Sequence, residues 1–237
     1  MRLSLNFDLE NEHLPIQYRE RVLSFIKLSL SEYSIDYFKK FYNNKDNTIK
    51  PYTFSVFFKS PEFKEDEIII NNKKLDINFS IADYEASIIL YNAFNQQKNK
   101  KYSLNRNSWS LKNISMLMEK KISSNEIIIK FMSPLVVRSR QNQKDFYYSF
   151  EYKEFLDILK INIEEQLSIT NFPKNIADTF CLEPIKAKKV IVKFYEKKME
   201  TSVGIFKMSG DKELLKYLYE AGLGSRHSAG FGMFEIV

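Results

Sequence analysis

The sequence predicts an α+β protein with antiparallel sheets, built as two successive units, residues 1–122 and 123–237. Three observations point there. Apolar residues alternate with polar ones in several short stretches, the period of half-buried strands, and others recur at helical spacing. Each half reads in the order strand, helix, strand, strand, helix, strand. Ser and Asn accumulate between Lys120 and Asn125, where the pattern restarts. That order is the one found in ferredoxin-like (RRM-like) units, each expected to carry a four-stranded sheet backed by helices. No sequence repeat accompanies it, so the duplication is one of pattern.

The elements follow in turn. Leu3, Leu5, Phe7 and Leu9 alternate with Arg2, Ser4, Asn6 and Asp8 in the first strand. Pro15 suits the first turn of a helix, whose apolar stripe is Ile16, Val22, Leu23, Ile26 and Leu30. A second short helix spans Ile35 to Phe41, followed by a polar loop, Asn43 to Lys50. Tyr52, Phe54, Val56 and Phe58 mark the next strand, and Ile77, Phe79 and Ile81 another. Asp83 is placed to cap a helix that buries Ala86, Ile89, Leu90, Ala93 and Phe94. Lys101 to Met118 reads as extended but ambiguous. In the second half, Glu126 to Arg140 is a strand interrupted by Pro134, and Phe155 to Leu167 carries a helical stripe. Val190, Val192 and Phe194 face one side of a strand whose hairpin partner holds Val203 and Ile205. A helix over Asp211 to Ala221 buries Leu214, Leu215 and Leu218, and a glycine-rich loop leads to a last strand from Phe231.

Composition narrows the function classes. Hydrophobic residues make up 44% of the 237, which excludes a disordered tail. A net charge of +6 favours an anionic partner, nucleic acid or a membrane surface. Twenty Phe and fourteen Tyr interleaved with Lys suit single-stranded RNA, although core packing accounts for most rings. The lone Cys181 excludes an internal disulfide and a thiolate zinc site. With two histidines and no cluster at ligand spacing, no metal or other cofactor is expected. The N-terminus lacks the apolar core of a signal peptide, and no apolar run approaches the ~20 residues of a membrane span. A cytoplasmic protein is the expectation.

The most informative stretch is the C-terminal string Ala221-Gly-Leu-Gly-Ser-Arg-His-Ser-Ala-Gly-Phe-Gly-Met. Four of the six glycines sit here as two Gly-x-Gly pairs, Gly222 with Gly224 and Gly230 with Gly232. A glycine loop can aim consecutive N–H groups into a concavity that suits a phosphate. Ser225, Arg226, His227 and Ser228, between the pairs, can all donate to phosphate or ribose oxygens. A helix cap at Gly222 followed by a softened turn explains the glycines equally well. The whole string closely resembles the C-terminal glycine-rich loop of the CRISPR-associated repeat-RNA endoribonucleases, the Cas-six family of the RAMP superfamily. Leu14-Pro15-Ile16-Gln17-Tyr18 is similar to the family's first-helix entry, and Met132-Ser133-Pro134-Leu135-Val136-Val137-Arg138 to the segment opening its second half.

That resemblance implies binding of CRISPR repeat RNA and its metal-independent cleavage. A ribose 2′-OH attacks the adjacent phosphorus, the 5′-oxygen leaves, and a cyclic phosphate results. The reaction needs a base, an acid and cations for the phosphorane charge. Family members place a histidine near the second short helix; Tyr37-Phe38-Lys39 stands there in this chain. Three accounts follow. Lys39 or Lys40 with Lys50 stabilises the phosphorane while Tyr37 or Tyr33 assists proton transfer; or His13 folds back into the site; or the protein binds repeat RNA without cutting it, as a subunit carrying RNA beside other CRISPR interference subunits. A generic RRM-like binder is the remaining alternative, and the second half lacks the aromatic signature of that class. Arg138, Arg140 and Lys144 are candidate phosphate contacts, and Lys186, Lys188, Lys189 and Lys193 form a second basic stripe. An exposed strand edge protected by charge explains that stripe as well. Trp109 beside Arg106 is a core residue or a base-stacking one. The chain is expected to act as a monomer or homodimer.

Overall fold

The computed structural model describes residues 1–42, 48–104, 107–173 and 175–237. The first half contains β1 (Arg2–Leu9), β2 (His13–Pro15), α1 (Tyr18–Tyr33), α2 (Ile35–Phe41), β3 (Tyr52–Phe58), β4 (Glu62–Phe63), β5 (Glu67–Ile69), β6 (Lys74–Ile81), α3 (Tyr84–Gln96), β7 (Lys101–Leu104) and β8 (Asn107–Met116). The second contains β9 (Glu126–Phe131), β10 (Val137–Gln141), β11 (Lys144–Tyr148), α4 (Phe155–Leu167), β12 (Cys181–Phe194), β13 (Lys197–Ser209), α5 (Lys212–Ala221) and β14 (Phe234–Ile236).

The first sheet runs β3-β6-β1-β8-β7 and the second β12-β13-β9-β14, antiparallel throughout. Counting the four principal strands of each half in chain order, both sheets read second, third, first, fourth. This is the tandem ferredoxin-like arrangement. The first sheet has five strands and not the expected four, because 101–116 folds back as the hairpin β7–β8. A small extra sheet, β2-β5-β4, flanks it. In the second half the break at Pro134 is complete: β9 stays in the main sheet while β10 pairs only with β11. The last strand starts at Phe234 and not Phe231, because Gly232 N–H turns aside to the Pro134 carbonyl.

Alternation decides what each face touches. Leu3, Leu5 and Phe7 point to α1 and α3, joined by Ile77, Phe79, Tyr52 and Phe54 in one core. Asp83 caps α3 by accepting from Ala86 N–H at 2.7 Å, and Asp211 caps α5 from Glu213 and Leu214. Trp109, 1% exposed among Phe7, Phe25 and Tyr102, is a core residue; Arg106 lies outside the described residues. A second core forms around Leu159, Ile163, Phe206, Met208, Leu215 and Phe234. Val136, Phe194, Met199 and Phe231 of the second half pack into the first core, so the halves share an apolar contact.

The polar face of the first sheet makes a second contact with the other half. Thr53, Ser80 and Arg2 lie in one row across β3, β6 and β1. Arg2 is 1% exposed: its guanidinium bonds Glu235, the Tyr219 and Phe234 carbonyls and Ser80, and lies 3.7 Å from the Tyr219 ring. Thr53 donates to the Phe231 carbonyl at 2.8 Å. A position that alternation alone marks as solvent-facing is therefore sealed by the second half.

Candidate functional site

The glycine-rich loop leaves α5 at Gly222, whose φ of +89° ends the helix. A Cβ at Gly222 would stand 2.7 Å from the Thr53 side chain, and one at Gly230 would stand 2.4 Å from the Phe54 ring. Glycine is needed at both because β3 of the other half lies against them. At Gly224 and Gly232 the obstacles are the Val136 and Leu223 carbonyls. Many of the loop's N–H groups are engaged internally: Leu223 with Gly232, Ser225 with Val136, Gly230 with His227, Gly232 with Pro134. With Thr53 and Phe54 of β3 seated against Gly222 and Gly230, the loop is a clamp between the halves. The expected phosphate cradle stays a proposal for the N–H groups of Arg226, His227 and Ser228, which take no part in these bonds.

His227 is corrected as well. It is buried, with Nδ1 3.0 Å from the Tyr52 carbonyl. Burial pushes its pKa down to about 4 against the opposing effect of the Tyr52 and Ala221 carbonyls, with Lys50 adding to the depression. It fastens the loop to β3 as a neutral imidazole. Ser228 is half-buried beside it.

Lys50, just before β3, lies close to this contact. Its Nζ is 4.9 Å from the Tyr42 ring centroid and bonds the Thr48 carbonyl at 3.1 Å. Lys27, from α1, approaches the same ring at 5.2 Å. Burial, and then Lys27, hold the Lys50 ammonium below its ordinary pKa. The Tyr42 hydroxyl meets that of Tyr52 at 2.6 Å, and burial pushes the Tyr42 phenol up to about 12. Two cations thus approach one aromatic ring near the seam between the halves, where Arg19 bonds the Gly230 carbonyl and covers the Phe231 ring.

The other catalytic candidates fall elsewhere. Tyr37 and Lys40 both bond Glu85 of α3, at 2.9 and 3.0 Å, on an exposed surface. That carboxylate raises the Tyr37 pKa, the wrong direction for a proton acceptor. Lys39 is exposed on the same short helix, and Tyr33 is bonded by Asn92. His13 sits in β2 against Glu67 at 3.0 Å. β2 follows the far end of β1, whereas Lys50 adjoins the end where Tyr52 pairs with Ile81. Eight residues of strand separate these ends by roughly 25 Å, so His13 does not fold back.

The second-half cations divide. Arg138 and Arg226 meet at Asp145: Arg138 Nη1 is 3.2 Å from one carboxylate oxygen, and Arg226 Nη2 is 3.4 Å from the other. Arg138 Nε also donates to Ser225 Oγ at 3.2 Å. Arg140 and Lys144 are exposed on the same hairpin. Lys186 and Lys188 lie on the open face of β12, past a bulge at Pro184, while Lys189 turns to the opposite face to pair with Glu151 at 3.0 Å and Glu200. The stripe is therefore split between two faces, and Lys193 pairs with Glu196. Lys27, Tyr42, Lys197 and Asp145 were missed by sequence reasoning, because only tertiary contact brings them to these sites. Among the described residues, no helix is long and apolar enough to cross a membrane, and no group of three His, Cys, Asp or Glu side chains is placed to hold a metal ion.

Comparison with known proteins agrees with the fold. A family model described as the C-terminal part of CRISPR-associated protein Cas6 matches residues 117–236, half of the chain. An endoribonuclease-like protein Cas6nc of Pyrococcus horikoshii is 22% identical over 215 residues, 81% of this chain and 87% of that one. A solved structure from a Cas6-related gene of Pyrococcus furiosus superposes with a TM-score of 0.87 at 22% identity, covering 100% of this chain and 98% of the other. A RAMP protein described as binding different RNA substrates gives 0.86 at 19%, covering 100% and 99%. From the family match over its second half, the chain belongs to the Cas6 family of CRISPR-associated proteins.

Proposed function

We propose that this protein binds CRISPR repeat RNA and cleaves it by attack of a ribose 2′-OH on the adjacent phosphorus, with a cyclic phosphate and a free 5′-hydroxyl as products. The convergence of Lys27 and Lys50 on the Tyr42 ring, at the seam closed by the glycine-rich loop, carries this reading. Two ammonium groups on one side of a scissile phosphate would stabilise the phosphorane charge, an interaction strongest in the transition state. Lys50, with its pKa lowered by burial and by Lys27, releases a proton more readily than an ordinary lysine and is the candidate acid for the leaving 5′-oxygen, while the proton of the attacking 2′-OH passes to solvent water. Tyr42 supplies the surface on which the cations rest, and its raised pKa removes it from proton transfer. Arg138, Arg226 and the exposed Arg140 and Lys144 would hold the RNA backbone, with the Lys186 and Lys188 pair as a second contact. We assign the two domains to residues 1–122 and 123–237; β8 ends at Met116 and β9 begins at Glu126, on either side of that boundary.

A second reading, an RNA-binding protein without cleavage, is favoured by one observation: His13 lies at the other end of the first sheet, and His227, the histidine beside Lys50, is buried against the Tyr52 carbonyl. Incubation with an end-labelled repeat in EDTA separates the two. Cleavage that persists in chelator and vanishes with a 2′-deoxy residue before the scissile bond supports the first. A gel shift with intact RNA supports the second.

A further inference from the structure

The contacts at Asp145 are uneven for a structural ion pair. Its side chain is 8% exposed and is shared by three cations from three segments: Arg138 of β10, Lys197 at the start of β13, and Arg226 of the glycine-rich loop. One carboxylate against three cations leaves two positive charges uncompensated. Only Lys197, at 2.7 Å, is at the distance of a strong charge-assisted bond. The guanidinium contacts at 3.2 and 3.4 Å are long, and the enclosed Arg226 Nε makes no hydrogen bond. The frame holding these groups is rigid. Asn162 of α4 bonds both the N–H and the carbonyl of Arg138, at 2.9 and 2.7 Å. Arg226 has left-handed φ and its guanidinium lies 5.8 Å from the Phe194 ring. Arg138, Arg226 and Lys197 are 27, 25 and 56% exposed, so the cluster opens to solvent. Tyr147 stands beside it, its hydroxyl 3.4 Å from both Asp145 and Arg226.

We propose that this cluster is a seat for one RNA phosphodiester, gripped by Arg138, Arg226 and Lys197, and that Asp145 is the positioning residue that makes the three converge. The proposal rests on the RNA-binding reading above and adds to it the acidic residue and Lys197. Asp145 is held well ionised, first by its bond from Lys197, so it organises the cations throughout the neutral range.

Asp145→Asn distinguishes positioning from simple charge. The substitution adds one positive charge, so a surface acting by charge alone would bind RNA more tightly. A positioned seat would bind about 10-fold more weakly, and the salt slope would fall by about 1.4, two single-strand contacts at ~0.7 each. Lys197→Met should lose about 3-fold and one such contact. A second probe, tripolyphosphate, is followed by the Nε–Hε NMR signals of Arg138 and Arg226, which should move in the wild type and not in Asp145→Asn. Equal or tighter repeat binding by a folded Asp145→Asn, or arginine signals indifferent to tripolyphosphate, overturns the seat. If Asp145→Asn fails to fold, unchanged affinity and slope in Lys197→Met overturn it instead. A wild-type protein that binds no repeat RNA but whose arginine signals respond to tripolyphosphate would keep the seat and remove the RNA reading.

Discussion

Lowering the pH should loosen the seam between the two halves through one residue, His227. Its pKa falls from the ordinary 6.5 to about 4, chiefly because burial penalises the imidazolium. Between those values the unfolded chain holds a proton that the folded protein does not. The unfolded state therefore binds more protons, and stability rises with pH across this window. The stabilisation is fully present above pH 6.5 and is lost as pH falls towards 4. The full difference of about 2.5 units corresponds to about 3 kcal/mol, of which about 2 kcal/mol lies between pH 7.5 and 5. Staying at or above pH 5 limits the contribution of carboxylates such as Asp145 and Glu85, whose lowered pKa values act mostly below that range. Urea unfolding at pH 7.5 and 5.0, for wild type and His227→Gln, measures the effect. The wild type should lose about 2 kcal/mol more than the variant over this interval. Parallel losses in wild type and His227→Gln would refute a buried neutral histidine.

Three further outcomes follow from the same contacts. Lys50→Ala should slow single-turnover cleavage by about 100-fold or more while changing repeat affinity less than about 3-fold, because its charge acts mainly on the transition state; equal losses in rate and affinity would make Lys50 a binding residue. Gly230→Ala places a Cβ 2.4 Å from the Phe54 ring at a φ of +85°, which should cost about 2–4 kcal/mol from overpacking and backbone strain, read as a lowered urea midpoint. Adding Phe54→Ala should recover the overpacking part in a double-mutant cycle, and strict additivity would place Gly230 away from Phe54. Arg2→Met should lose about 3 kcal/mol in the same assay, since the Tyr219 and Phe234 carbonyls lose their donor, and a loss under 1 kcal/mol would reduce Arg2 to a surface residue.

Local signals were enough for most of the fold. Period-two stretches placed β1, β3 and β6, helical stripes placed α1, α3, α4 and α5, and Asp83 read directly as a cap, because each depends on neighbours within a few residues. The failures share a cause. Lys101 to Met118 was ambiguous because a hairpin is recognised by its pairing, and Tyr102 opposite Trp109 appears only once β7 and β8 meet. Arg2 occupies a polar position of an alternating strand, yet the other half of the chain, residues 123–237, covers it, and nothing within β1 reports that cover.

The site shows the same limit more sharply. A glycine pattern tells where a chain needs space, but not what fills that space. Phosphate, ribose and a neighbouring aromatic ring all ask for a missing Cβ. In this protein Thr53 and Phe54 are the occupants at Gly222 and Gly230, and His227, the side chain best suited by type to handle a phosphate, is bonded to the backbone of the same strand. Lys50 and the loop are more than 170 residues apart in sequence, and β3 brings them together, since it starts two residues after Lys50 and receives the loop at Tyr52, Thr53 and Phe54. A clamp on β3 therefore fixes where Lys50 stands relative to Arg226 and Arg138. On this account the glycines act on cleavage through geometry, and a loop variant that still binds RNA through Arg138 and Arg226 should nevertheless lose rate in proportion to the displacement of Lys50.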